Sequence, residues 1–151
     1  MKEFLKELFE YSQAHELLLL SQFEKHPHLH EEKPGSLFDH ILNAHHIWNF
    51  RMLGKERRFE VWQRHKLSAL HHLIGNNFSD SMKVIGDRSL DEVLDYRDTK
   101  GNKYSNTYKE ILFHIVNHGT YHRGQLALEM RNRGLDPIIS DYIYYKREMK
   151  Q

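Results

Sequence analysis

Residues 108–134 read YKEILFHIVNHGTYHRGQLALEMRNRG, and the periodicity of this stretch decides the fold. At about 100° per residue, with His118 set at zero, Tyr108, Ile111, Leu112, Ile115, Gly119, Leu126 and Met130 spread from roughly 20° to 120°. That is a single apolar face, so the stretch is an amphipathic helix. Asn106 or Thr107 precedes it as an N-cap, and Gly134 and Pro137 stop it, giving a helix from about Tyr108 to Arg133. The same wheel sorts its polar residues. His122 falls at about 40°, inside the apolar stripe. His118 lies on the edge, with Gln125 at about −20° and Glu129 at about 20°. His114, at about −40°, belongs to the rim, and Arg123, at about 140°, to the surface or an interface.

Working outward, SLDEVLDYRDTKGNKYSN carries short alternating runs around a Lys-Gly-Asn turn, the pattern of a small β-hairpin or an extended connection. Before it, Val61 to about Ile85 carries Trp62, Leu67, Leu70, Leu73, Ile74, Phe78, Met82 and Val84 at helical spacing, with a polar middle at Asn76, Asn77 and Ser79. SLFDHILNAHHIWNFRML reads as a helix capped by Ser36, with Asp39 completing an approximate capping box and Gly54 ending it. Lys2 to about Phe23 forms the first helix, broken by Pro27, Pro34 and Gly35. The tail IISDYIYYKREMK packs as a short helix or strand, with Tyr142, Tyr144 and Tyr145 serving packing or an interface. Four long amphipathic helices imply an all-α, up-down four-helix bundle, with the hairpin or extended connection before the last long helix. Residues 1–151 are expected to form one domain.

Composition narrows the function. The 22 basic residues nearly cancel the 21 acidic ones, so no overall field draws nucleic acid or an anionic membrane, and no basic stripe with interleaved aromatics is present. No apolar run approaches the ~18 residues of a membrane span, and Lys2, Glu3, Lys6 and Glu7 interrupt any signal-peptide core. A cytoplasmic location is expected. Cysteine is absent, which excludes disulfides, thiolate metal sites and a cysteine nucleophile. Histidine, with 13 copies, is the anomaly.

On the second long helix, with His40 at zero, Leu37, Ala44, Ile47 and Trp48 lie between about −20° and 80°, so His40 faces inward. His45 falls at about 140° and His46 at about −120°, and both point away. His26, His28 and His30 belong to a proline-containing loop and are read as solvated; His65, His71 and His72 are read as helix surface. A buried imidazole must satisfy two ring nitrogens. A divalent cation does this for His40, His118 and His122 together, one nitrogen each, with the i, i+4 pair reaching one ion from one helix. The residue after His118 is Gly119, so the pair lacks the carboxylate of the metalloprotease motif. Such a helix-face pair also occurs without metal, as ordinary lining.

SLFDHILNAHHIWNFRML together with ILFHIVNHGTYHRGQLALEMRNRGLDP resembles the DinB-like (YfiT-like) family of bacterial metal-binding four-helix bundles. The resemblance runs over nearly the whole chain, and NH…YHRGQ is its most specific part. It implies a metal triad of one histidine from the second long helix and two from the fourth, here His40, His118 and His122. It also implies a homodimer and, for some relatives, transfer reactions using low-molecular-weight thiols such as bacillithiol or mycothiol.

Three neutral imidazoles leave a bound ion its full charge and an open position, as in catalytic rather than structural zinc sites. The expected activity is therefore metal-assisted activation of a low-molecular-weight thiol or water, acting on a small-molecule substrate as an S-transferase or hydrolase would. The alternative is a non-enzymatic, metal-stabilised dimeric stress-response protein. Zinc or nickel are the expected ions, with iron also compatible with nitrogen ligands. No residue is assigned a catalytic role, Gln125 being the candidate for orienting a ligand or a bound water. Arg123 is the alternative contact for an acidic substrate group.

Overall fold

The helical periodicity is realised in four long helices, α1 (Lys2–Lys25), α3 (Lys33–Met52), α4 (Leu67–Asp87) and α5 (Tyr108–Arg131). A short helix α2 (Pro27–Glu31) links the first two, strands β1 (Val93–Arg97) and β2 (Lys103–Thr107) precede α5, and α6 (Tyr142–Glu148) follows it. This computed structural model describes residues 1–98 and 100–148. Thr99 in the hairpin stretch, and Met149 and Lys150 of the quoted tail, lie outside them. The strands pair antiparallel, with Tyr96 opposite Tyr104 and Arg97 opposite Lys103. Gly101 takes φ +86° in the connecting turn, where a side chain would be strained.

Thr107 caps α5: its side chain accepts from the Glu110 amide while the Glu110 carboxylate accepts from the Thr107 amide. The other long helices start elsewhere than the sequence suggests. Helix α3 begins at Lys33 rather than behind Ser36. Pro34 sits in its first turn, where a missing amide proton costs nothing, so the proline starts the helix instead of preceding it. Asp39 is fully buried and accepts from Arg64 Nε at 2.7 Å and from the His65 amide at 3.2 Å. Helix α4 begins at Leu67, not Val61, because residues 61–66 lie over α3 as a non-helical segment. Their carbonyls are taken by α3 side chains, with Asn43 Nδ2 donating to Val61 and Gln63.

Helix α1 packs on α4 and α5, and α3 packs on the same two helices. The second and fourth long helices are thus neighbours in space. One apolar cluster, around Leu5, Phe9, Val84, Ile85 and Leu112, fills one end; another, around Phe23, Phe38, Leu42, Ile74 and Leu126, fills the other. A buried polar layer lies at the middle of the helices: Ser12, His15 and Glu16 of α1, His45 and Asn49 of α3, Asn77 and Ser81 of α4, and Arg123 of α5. Asn49 donates to the Asn77 carbonyl at 2.8 Å and Asn77 to that of Leu42 at 2.9 Å. Ser81 donates to Asn49 Oδ1 at 3.0 Å, so it accepts from His45 Nε2, 2.8 Å away.

Several histidines are therefore not where the wheels put them. His45 and His46 are buried, not outward. A wheel finds one apolar sector, whereas α3 is enclosed on two sides, by the polar layer and by the segment after Gly54. His46 accepts from the Arg58 amide at 3.2 Å and lies between Phe50 and Phe59. Burial pulls His45 down to about 3 and His46 to about 4, so both are neutral hydrogen-bonding groups. His30 is 1% exposed rather than solvated, with Nε2 3.1 Å from the Asp39 carboxylate. His65 precedes α4 and meets Asn43 Oδ1 at 2.6 Å, whereas His71 and His72 are exposed on α4 as read.

Arg123 is 2% exposed, neither surface nor interface, because α1 covers that side of α5. It donates to the Tyr11 hydroxyl at 3.1 Å and to Thr120 Oγ1 at 2.9 Å. Tyr142–Glu148 of the tail is helical, and Tyr142 and Tyr145 pack edge-on to Tyr11. No helix of the described residues is long and apolar enough to cross a membrane.

Candidate metal centre

Helices α3 and α5 bring His40, His118 and His122 together, with one ligand atom from each lying within 4.8 Å of the others. A tetrahedral ion with bonds of about 2.0–2.1 Å needs donor atoms roughly 3.4 Å apart. One pair, His40 Nε2 and His118 Nε2, is at 3.1 Å. Small side-chain rotations therefore suffice for the cluster to hold a divalent ion. His40 is buried; His118 and His122 are half-buried.

Two of the rings are fixed by their second nitrogen. His40 Nδ1 donates to the Val61 carbonyl at 3.1 Å, which leaves Nε2 free to ligate. His122 Nδ1 donates to Gln125 Oε1 at 2.7 Å, and Gln125 Nε2 in turn donates to the Tyr121 hydroxyl at 3.1 Å. Because the His40 Nδ1 proton is committed to Val61, a direct bond between the two facing Nε2 atoms needs the proton on His118. His40 Nε2 and His118 Nε2 would each offer a lone pair to a cation held there, with His118 then carrying its proton on Nδ1. Burial, with His122, His40 and His114 nearby, pulls His118 down to about 3. Burial also lowers His40, offset in part by the Val61 hydrogen bond. Both imidazoles are neutral, and so ready to ligate, at neutral pH.

His114 is an exposed rim residue, its ring 5.6 Å from that of His118 and 5.4 Å from Trp48. No carboxylate joins the three histidines among the described residues. An ion held there meets three neutral donors and keeps its charge, and a fourth position is left for a non-protein ligand.

The sequence reading missed what surrounds the cluster. Trp62, assigned to a helix, instead stacks on the His40 ring with centroids 3.9 Å apart and planes 9° from parallel. The segment that supplies Trp62 also supplies the Val61 carbonyl, so it both covers and orients His40. A cleft of about 410 Å³, lined also by Val61, runs from His40 and His118 to Trp48, Arg51, Tyr96 and Tyr104. The hairpin is therefore a wall of the site as well as a connection. The run of four polar residues after Trp62, Gln63 to Lys66, was the available signal, and helical periodicity masked it.

The DinB family model matches residues 1–151. The chain belongs to the DinB family. Within it, this DinB-family protein is similar to YizA of Bacillus subtilis (strain 168), an uncharacterized protein, at 29% identity over 108 residues, covering 69% of this chain and 67% of YizA. It is also similar to the protein DinB of the same organism, at 36% identity over 56 residues. That match spans 37% of this chain and a third of the length of DinB (33%). Family membership agrees with the helical bundle, and the clustering of His40, His118 and His122 is a property of this chain's own geometry.

Proposed function

We propose that His40, His118 and His122 ligate one divalent transition metal, zinc or nickel, and that the site activates a low-molecular-weight thiol or water for attack on an electrophilic small molecule. The observation that carries this reading is the convergence of three ring nitrogens from two helices with no fourth protein donor among the described residues. When bound, the ion supplies Lewis acidity that brings a coordinated thiol or water towards ionisation near neutral pH. The Val61 carbonyl and Gln125 hold two of the rings in the ligating tautomer. Trp62 shields one face of His40, and the cleft beside His40 and His118 gives a small molecule access. The chain has no cysteine, so a sulfur nucleophile must come from solution.

The test is metal content of protein purified without a histidine tag, followed by thiol transfer to an aryl halide or epoxide and by hydrolysis of an activated ester. His40→Ala, His118→Ala and His122→Ala should each reduce metal content and abolish turnover while the fold persists. Equal metal in the His40→Ala protein would overturn the ligand set. Metal that raises thermal stability without any turnover would favour the non-enzymatic reading. The proposed homodimer would use the outer face of α5, where Phe113, Tyr121 and Leu128 are exposed and Phe113 shares a groove with Phe4 of α1. Sedimentation of wild type against Phe113→Lys tests that face.

A further inference from the structure

The cleft beside the three histidines holds a guanidinium without a carboxylate partner. Arg51, on the last turn of α3, lies 4.6 Å above the Trp48 ring and 5.3 Å from that of Tyr96. Its only hydrogen bond among the described residues is a long one, 3.3 Å, from Nη2 to the Arg97 carbonyl. No carboxylate oxygen of the described residues comes within 4 Å of it, although it is half-buried. A second guanidinium, Arg57, lines the same cleft and pairs with Glu60 at 3.0 Å on the exposed side. Asp98 is the one acid of the lining, and its carboxylate is already engaged. It accepts from the amides of Lys100 at 2.8 Å and Asn102 at 2.9 Å and from Asn102 Nδ2 at 3.0 Å.

Stacking over Trp48 and Tyr96 holds the guanidinium in the cleft, yet among the described residues its fork of N–H donors meets only the one long contact to the Arg97 carbonyl, so donors are left free to face an anion. We propose that Arg51, assisted by Arg57, is an anion subsite that binds the carboxylate of a small, planar substrate whose remaining part lies between Trp48, Tyr96 and Tyr104 and reaches His40 and His118. This names the substrate class for the reaction proposed above and rests on that reading for its chemistry. The subsite itself stands on Arg51 alone. Arginine presents a flat fork that matches a carboxylate with two parallel hydrogen bonds, and the aromatic walls accept a ring by stacking.

The probe is benzoate, titrated calorimetrically into the zinc-loaded protein and into protein stripped with chelator, with benzamide as the uncharged control. Benzoate is expected to bind both forms, to weaken with added salt, and to bind more tightly than benzamide. A charge-assisted pair in a part-buried site makes that margin about tenfold or more. Arg51→Met should lose the same factor while keeping its helical circular dichroism and its zinc content. Arg57→Met, at the exposed rim, keeps the subsite testable if Arg51→Met does not fold, and should weaken benzoate by about threefold. Three results would each overturn the subsite. These are equal affinity for benzamide, unchanged benzoate binding in both arginine variants, and loss of benzoate binding on metal stripping, which would place the carboxylate on the ion. Wild-type protein that takes up no zinc but still binds benzoate would sink the metal reading and leave the subsite standing.

Discussion

Gly35 offers a sharp test of how the site is held. It sits in the first turn of α3, five residues before His40, and the backbone of His30 runs directly against it. A Cβ built on Gly35 would lie 1.9 Å from the His30 carbonyl oxygen and 2.5 Å from its carbonyl carbon. These are backbone atoms and cannot swing aside, so Gly35→Ala must separate α2 from α3 by roughly 1 Å or more, an overpacking that costs about 1–3 kcal/mol. His30 and Arg64 both contact Asp39 across this junction, so the strain reaches charged groups whose loss adds to the cost. For a chain of this size, about 2–3 kcal/mol corresponds to a melting point lower by roughly 5–10 °C. The matched control is Gly75→Ala in α4, where an added Cβ meets nothing within 4 Å. There the methyl relieves backbone entropy and should stabilise by about 0.5–1 kcal/mol. Urea denaturation of the two variants beside wild type reads both signs. If Gly35→Ala unfolds at the wild-type midpoint, the α2–α3 packing described above is wrong.

Two further predictions follow from the polar groups. Gln125→Leu removes the acceptor that fixes the His122 ring and should weaken zinc binding about tenfold, the lower end of the usual effect of such a partner, in competition with a chromophoric chelator; unchanged affinity would deny Gln125 that role. Glu16, lifted to about 7 by burial with Arg123 pulling the other way, keeps a proton that the unfolded chain releases near 4.5. Its contribution to stability is therefore complete below about pH 4.5 and is lost as pH rises through about 7. Glu16→Gln should match wild type at pH 4.5 and exceed it at pH 8, by on the order of 1–3 kcal/mol in urea midpoints.

Much of this was legible in the chain. The 3.6-residue periodicity located all four long helices, and Asn106 or Thr107 marked the start of α5, which Thr107 caps. It also selected His40, His118 and His122, because a residue's angle on its own helix is a local property. What failed was anything that depends on a partner. Val61 and Trp62 fit a helix by spacing, yet Asn43 and His40 on α3 capture the Val61 carbonyl, and tertiary hydrogen bonds outweigh local propensity. His45, His46, His30 and Arg123 were misplaced for the same reason: their burial is decided by a polar layer and a covering segment contributed by other parts of the chain. The cleft needed the hairpin to be folded back beside α3, and no spacing rule encodes that.

The stacking of Trp62 on His40 has a practical corollary. The chain has two tryptophans, and both adjoin the histidine cluster, Trp62 directly and Trp48 through His114. An indole in van der Waals contact with a ring that took up a metal would respond optically to it, so the protein's own ultraviolet emission would be a built-in gauge of loading. Nickel or copper, with partly filled d shells, would dim it, and zinc would shift it without quenching. Whether the site takes up an ion, and of which kind, is thus open to a cuvette measurement that needs neither label nor crystal.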